Sequence, residues 1–376
     1  MSTTIGIIGL GTMGLGIAQV YAAAGFAVIA TDAYAPARDT ARARMAEALQ
    51  SRVTAGKLSE SARDATLANL TITDSLTDFA PCDLVIEAII EKLDAKQALF
   101  SSLEPILRPD AILATNTSSI PVRDIARGLK HPDRVLALHF FNPPTAMKLV
   151  ELAPHDGTLR NHLNIARQVS EKANKTVVEC PDRPGFIVNR CARPFYGEAL
   201  ALLAEGRTPS DIDAAMLAAG YRLGPLSLID LIGADINLAA TTGMHAAMGQ
   251  HPRYHPFPAL VDQVAKGHLG RKSGQGFLHP NQPGPAPQDA AAIALRIEAT
   301  LINEAHWLLS EGGTTPQGID TAMKLGLNFP RGPFEALALH GRDAVLQTLA
   351  ALQQAAPEAL KSRYTPAPGL VSGATA

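Results

Sequence analysis

The residues from Ile5 to Asp32, IGIIGLGTMGLGIAQVYAAAGFAVIATD, constrain the fold more than any other stretch of the chain. Ile5-Gly6-Ile7-Ile8 is an apolar run of the kind that forms a strand buried on both faces. Gly9-Leu10-Gly11-Thr12-Met13-Gly14 follows, and residues 15–24 continue as a helical segment. Gly25 ends that helix, and residues 26–31 read as a second buried strand stopping at Asp32. Each glycine has a steric reason. Gly9 makes the tight strand-to-helix turn, Gly11 lets a pyrophosphate approach the backbone, and Gly14 lets the helix lie close against the strand. The free N–H groups at the helix start would hold the phosphates. Asp32 lies 18 residues beyond Gly14, where a carboxylate would accept from the adenosine ribose hydroxyls. Strand, glycines, helix, strand and acid in this register specify a dinucleotide-binding unit. The Asp32 carboxylate would repel the extra phosphate of NADP, and Ala33-Tyr34-Ala35-Pro36-Ala37 offers no cation for it, so the expected cofactor is NAD.

No charged side chain occurs from Met1 to Thr31, which raises the question of a membrane span or secretory signal. Recurrent glycine, Gln19 and the lack of a preceding Lys or Arg speak against both. A net charge of −2 gives no general attraction to nucleic acid or anionic lipid. The three cysteines, Cys82, Cys180 and Cys191, form no CxxC pair. Idle thiols in a reducing compartment are expected, hence a cytoplasmic protein with no disulfide framework and no zinc site.

At 376 residues the chain suggests two or three domains. Residues 38–55 and 59–68 alternate charge and alanine at helical spacing and form a helix pair projecting from the sheet, with Arg42, Arg44, Arg52, Lys57 and Arg63 as its cations. Further strands are expected at 70–73, 83–88, 111–115, 134–139, 148–152 and 176–179, with a long helix opening at Glu91. This gives an α/β Rossmann-type domain over 1–184. Beyond it the chain turns helical and repeats itself. Glu198–Gly206 recurs as Glu304–Gly312 at an offset of 106, Ile212–Met216 as Ile319–Met323, and Gly224-Pro225 as Gly332-Pro333. An all-α region of two repeated helical units follows, 185–280 and 293–355. A proline-rich linker at 281–292 joins them, and 356–376 is expected to be a mobile tail.

A dehydrogenase needs a base to take the alcohol proton while hydride leaves its carbon. His139, at a strand end on the cofactor side, has the titration range for it. Glu151 lies twelve residues on, beyond a proline-rich turn. If the two segments run antiparallel, it reaches the far ring nitrogen, fixes the tautomer and stabilises the imidazolium. His251 and His255 stand four apart, but bracketing prolines and the lack of a third ligand make this a loop and not a metal site.

Six stretches now carry a resemblance. The Gly9–Gly14 turn, Glu87-Ala88 with Glu91, Asn116–Ser119, His139–Pro143, Pro184–Arg190 and Leu269–Phe277 occur in the order seen in (S)-3-hydroxyacyl-CoA dehydrogenases. The doubled C-terminus resembles the longer members of that family. The resemblance implies NAD-dependent oxidation of a (3S)-3-hydroxyacyl-CoA to the 3-oxoacyl-CoA, in fatty acid or phenylacetate-type degradation. It implies that His139 is the base and Glu151 its partner, and that Ser118 and Asn189 bond the substrate's 3-oxygen or position the histidine. Glu91, Lys96, Ser118, Asn142 and Lys272 resemble residues lining the nicotinamide half of the cofactor, and Lys57 a CoA contact on the projecting hairpin. In the form associated with phenylacetate breakdown the substrate is a 3-hydroxyadipyl-CoA, whose distal carboxylate Arg193 would pair.

The second helical copy puts Leu295 opposite Asn189, so one active site per chain is expected, in a monomer or a homodimer. Two alternatives stay open at this point. One is a dehydrogenase of free 3-hydroxy acids, of gulonate or carnitine type. The other is a non-catalytic NAD-binding structural protein.

Overall fold

A computed structural model describes residues 3–373 and divides the chain into two compact units, meeting at Arg183 and Pro184. The first is built on an eight-stranded sheet in the order β3-β2-β1-β4-β5-β6-β7-β8. Its strands are β1 (Thr4–Ile8), β2 (Ala27–Thr31), β3 (Leu70–Ile72), β4 (Leu84–Glu87), β5 (Ile112–Thr115), β6 (Val135–Phe140), β7 (Leu149–Pro154) and β8 (Thr176–Glu179). The strands from β3 to β6 run parallel, whereas β7 lies antiparallel to β6 and parallel to β8. Ile5, Ile7, Leu84, Ile86, Leu113, Leu136 and Leu138 are wholly buried, as strands covered on both faces require. Strand order reverses at β1, with β2 on one side and β4 on the other, and open sheets of this kind bind ligands at that point.

Helices α1 (Thr12–Ala23), α4 (Leu93–Leu103), α5 (Val122–Ala126) and α6 (Arg160–Lys172) belong to this unit, as do α2 (Ala35–Thr54) and α3 (Glu60–Ala68), the helix pair. Ala41, Met45 and Leu49 of α2 recur every four residues and enter the sheet's core, which anchors the pair. Helix α2 starts three residues earlier than the charge pattern indicates, because Pro36 is compatible with a first helical turn. Helix α4 is shorter than expected: Glu91 is drawn away to the end of β5 instead of opening the helix.

The second unit is helical: α7 (Val188–Cys191), α8 (Arg193–Ala204), α9 (Pro209–Ala218), α10 (Pro225–Ile232), α11 (Ala234–Ala247), α12 (Pro258–Ala265), α13 (Ala290–Ser310), α14 (Pro316–Leu327), α15 (Pro333–His340), α16 (Arg342–Ala355) and α17 (Pro368–Ser372). The two copies repeat their polar anchors as well as their helices. Asp213 accepts from the N–H groups of Leu226 and Ser227 at the start of α10, and Asp320 does the same for Phe334 and Glu335 at the start of α15. Among the described residues no helix is long and apolar enough to cross a membrane.

Two expected boundaries differ. The linker gives way to helix at Ala290, three residues before 293. The segment after 355, expected to be mobile, packs instead through its described residues: Tyr364, Ala367 and Leu370 are buried in a core with Ala299 and Ile302 of α13. Arg363 and Tyr364 both bind Glu198, so this segment completes the second copy.

Candidate active site

The glycine turn is shaped by contacts that exclude side chains. Gly9 holds φ +98°, a conformation L residues rarely adopt, and a Cβ there would run into the Ala88 carbonyl. A Cβ on Gly14 would collide with the Gly9 carbonyl oxygen. Gly11 differs: a Cβ on it would meet only open space. As N-cap of α1 Gly11 provides no side-chain acceptor, and the helix has no acid in its first turn, so neither competes with a phosphate for the N–H groups of residues 12–14. Asp32 receives the Leu10 N–H at 2.7 Å on one oxygen and the Tyr34 N–H at 2.8 Å on the other. The carboxylate is thereby fixed beside the turn. Arg44, from α2, donates to the Leu10 carbonyl at 2.8 Å and braces it further. These features fit a dinucleotide pyrophosphate and its adjacent ribose.

His139 and Glu151 stand directly opposite each other across the antiparallel β6–β7 pair. His139 Nδ1 lies 2.6 Å from Glu151 Oε2. Glu151 is fully buried and the imidazole nearly so. The Phe141 ring packs on His139 with centroids 4.6 Å apart. A buried acid bonded to Nδ1 sets the ring's tautomer and orientation.

A second polar cluster closes the ends of β4 and β5. Lys96 is buried between Glu87, 2.6 Å away, and Glu91, 3.1 Å away. Glu87 also accepts from Thr115 Oγ1 at 2.7 Å and the Ile89 N–H at 2.7 Å. Glu91 Oε1 accepts from Thr117 Oγ1 at 2.6 Å, the Ser118 N–H at 2.9 Å and Ser119 Oγ at 3.1 Å. Burial pushes the Glu91 carboxyl up, but Lys96, Thr117 and Ser118 together outweigh it and hold the group below its ordinary value. Asn116 Oδ1 accepts the Phe140 N–H at 2.8 Å and ties this loop to the end of His139's strand. Glu87 and Asn116 had no individual role in the sequence reading. The signal for both was their place at the carboxyl end of a buried strand. Lys57 is exposed between α2 and α3, and Asn142 is exposed just past β6.

In the helical unit, Gly185 and Phe186 adopt positive φ of 75° and 46° ahead of α7, and a Cβ on Gly185 would run into Met244. Asn189 follows that kink, half-buried in α7. Arg193 is turned inward, donating from Nε to the Asn189 carbonyl at 2.9 Å and from Nη1 to Thr241 Oγ1 at 3.1 Å, with its guanidinium over the Tyr196 ring. Burial pulls its pKa down, since Tyr196 is weak compensation. The Leu269–Phe277 loop wraps the Asp230 carboxylate, which accepts from the N–H groups of Phe277, Leu278 and His279 at 2.8 Å each. Lys272 in that loop pairs with Asp235.

A mostly parallel sheet with this glycine turn, and a histidine–carboxylate pair on its antiparallel strand pair, has the build of a dinucleotide-dependent dehydrogenase. The profile of the 3-hydroxyacyl-CoA dehydrogenase NAD-binding domain matches residues 4–183, and that of the family's C-terminal domain matches twice, at 185–279 and 293–372. The chain belongs to the 3-hydroxyacyl-CoA dehydrogenase family, and its cofactor is NAD. A 3-hydroxyadipyl-CoA dehydrogenase of Escherichia coli K12 is 34% identical, over 96% of this chain and 95% of that protein. A probable 3-hydroxybutyryl-CoA dehydrogenase of Deinococcus radiodurans is 40% identical, over 72% of this chain and 98% of its own. The crystal structure of a 3-hydroxybutyryl-CoA dehydrogenase from Escherichia coli K12 superposes with a TM-score of 0.91 at 32% identity, covering 99% of this chain and 98% of that one.

Proposed function

We propose that the protein oxidises (3S)-3-hydroxyacyl-CoA thioesters to 3-oxoacyl-CoA with His139 as general base, within acyl-CoA degradation of the fatty acid or phenylacetate type. The observation that carries this reading is the 2.6 Å bond between His139 and the buried Glu151, in the unit that bears the glycine turn. With Nδ1 held by Glu151, Nε2 is the nitrogen that takes the proton from the 3-hydroxyl. Glu151 stabilises the imidazolium that results without itself gaining the proton. The Ser118 hydroxyl and the Asn189 amide donate to the 3-oxygen as it becomes a carbonyl. NAD, when bound, supplies the hydride acceptor.

Gly9–Gly14 and Asp32 hold the dinucleotide's phosphates and ribose. Glu91, Lys96, Asn142 and Lys272 border its nicotinamide end, with Lys96 acting through the two carboxylates that enclose it. Lys57 meets the CoA moiety. Arg193, bonded to the Asn189 carbonyl, positions that residue.

NADH formation from a panel of 3-hydroxyacyl-CoA thioesters, set beside the corresponding free acids, tests the reading. Activity on thioesters, absent on the acids and abolished by His139→Ala, is expected. Thioester oxidation that survives the substitution would overturn the mechanism.

A further inference from the structure

Gln19 is set into the buried stretch of α1, between Ala18 and Val20. It is only 7% exposed, yet its carboxamide has no hydrogen bond among the described residues. Buried polar groups rarely stand without a partner. Tyr21, two residues on, follows the rule and bonds Ser170 at 3.0 Å. Gln19 instead lines a cavity of about 260 Å³ in the sheet-bearing unit. Among the described residues of its wall are three cations: Arg52 in the last turn of α2, Lys148 just before β7 and Lys175 just before β8. Arg52 and Lys148 have no ion pair or hydrogen bond among the described residues. Lys175 is buried and donates to the carbonyls of Pro144 and Met147, and an ammonium has a third N–H to offer. Asn174, held at φ +59°, adds a second carboxamide. No acidic side chain is among the described residues of the wall.

Converging cations and amides without a carboxylate select an anion, and the number of cations selects its charge. A phosphate monoester carries about −1.5 to −2 at neutral pH and has three strong acceptor oxygens, enough for the guanidinium, the ammonium groups and the Gln19 amide together. A carboxylate, with a single charge and two oxygens, matches them less well. The rest of the wall is apolar, with Val20, Ala23, Ala24 and Met147, and gives an ester's organic group a surface to lie on. We propose that this cavity is a binding site for a phosphate monoester, held by Arg52, Lys148, Lys175 and Gln19. Lys175 connects the site to the histidine–carboxylate pair, because the carbonyls it binds belong to the turn between the strands of His139 and Glu151. A bound phosphate therefore braces that turn.

Titration of the full-length, NAD-saturated protein tests the site, with the glycine turn occupied so that its N–H groups take no added anion. The probes are inorganic phosphate and adenosine 3′-monophosphate, at an ionic strength held constant with chloride, and adenosine is the control. Both phosphates should raise Tm saturably, and adenosine should not. Arg52→Gln, Lys148→Gln and Gln19→Met should each weaken phosphate binding roughly tenfold, the usual loss for a charge-assisted bond. Gln19→Met should leave the Tm without phosphate unchanged, since no bond within the protein is lost. The absence of a saturable response, or one equal in wild type and all three variants, would overturn the proposal.

These titrations are independent of the thioester reading, and kinetics then separates two sources of the phosphate. If it is the nucleotide phosphate of a coenzyme thioester, the 3′-dephospho thioester should show a KM raised roughly tenfold in wild type but not in Arg52→Gln, and inorganic phosphate should compete with the thioester. If it belongs to a free phosphorylated metabolite, the two thioesters should share one KM and phosphate should not compete. Either pattern supports the site and names its occupant. A protein that oxidises neither thioester would defeat the thioester reading and leave the titration to decide the site.

Discussion

Arg190 Nε lies 2.7 Å from Glu304 Oε1, joining the first helical copy to the second through two side chains with no solvent exposure. The bond has a counterpart with the roles exchanged: Arg296 of the second copy holds Glu198 of the first at 2.8 Å. Each arginine also grips a second glutamate seven residues further on, Glu311 and Glu205 respectively. Each buried glutamate takes a tyrosine hydroxyl, from Tyr254 and Tyr364. The duplicated halves therefore clasp one another reciprocally, as the two subunits of a symmetric dimer do.

Removing one member of such a pair leaves the other charge buried with only its second partner, Glu311 for Arg190 and Arg253 for Glu304. Glu304→Gln or Arg190→Met should each destabilise the protein, by less than the roughly 3–5 kcal/mol of a wholly orphaned buried charge. The double variant, having no orphaned charge between this pair, should lose less than the sum of the two. Urea unfolding of the four proteins measures it, and strict additivity would show that the pair is not coupled.

Glu151 should matter to rate far more than to structure-wide stability. Glu151→Gln keeps the size of the side chain but cannot stabilise the imidazolium, and its amide can favour the wrong tautomer of His139. A fall in kcat of roughly 10²–10⁴ is expected, with NAD affinity within about twofold of wild type. Steady-state kinetics beside NADH fluorescence titration separates the two. A variant that retains kcat would remove Glu151 from the mechanism.

Much of this arrangement is visible in the sequence because it depends on local pattern. Apolar runs marked the strands, and the proline-rich turn between His139 and Glu151 left antiparallel pairing as the condition for the two to meet, which the β6–β7 register satisfies. What was missed depends on convergence between distant segments. The terminal segment looked mobile because its helical periodicity is weak, yet Arg363-Tyr364-Thr365-Pro366 repeats Arg253-Tyr254-His255-Pro256, and both Arg-Tyr pairs bind the partner copy's glutamate. A four-residue echo is too short to register until Glu198 and Glu304 explain it. The resemblance set Arg193 against a distal substrate carboxylate, but its Nε and Nη1 donors are taken by the Asn189 carbonyl, which carries no signal in the sequence, and by Thr241, which lies far from it there.

Lys175 predicts a pH dependence. Its ammonium donates to the carbonyls of Pro144 at 2.5 Å and Met147 at 2.8 Å, securing the turn between the strands of His139 and Glu151. Burial pulls its pKa from 10.5 down to about 8. Between those values the unfolded chain holds a proton that the folded chain has released, so this group makes stability rise with pH from about 8 to 10.5. Below about 8 its unfavourable contribution is constant. Stability measured by denaturant between pH 7 and 10.5 should show this increment in wild type and lack it in Lys175→Met. Parallel curves for the two proteins would mean that the carbonyls fully compensate the buried charge.

The glycine turn allows cofactor binding to be separated from folding. At Gly11 an added methyl meets open space and φ is −66°, so Gly11→Ala should fold with an unchanged Tm. The same methyl occupies the path by which a pyrophosphate reaches the α1 N–H groups, and NAD affinity should fall by at least tenfold. Gly14→Ala is a different case, since its methyl overlaps the Gly9 carbonyl and can be relieved only by moving α1 away from β1. Overpacking of this kind costs about 1–3 kcal/mol, so Gly14→Ala should lower both Tm and NAD affinity. Thermal melts with and without NAD distinguish the pair. The ligand-free Tm separates the two variants, and the upward shift that NAD gives wild type should be lost in both. If Gly11→Ala retained the full shift, the pyrophosphate would have to approach the chain elsewhere.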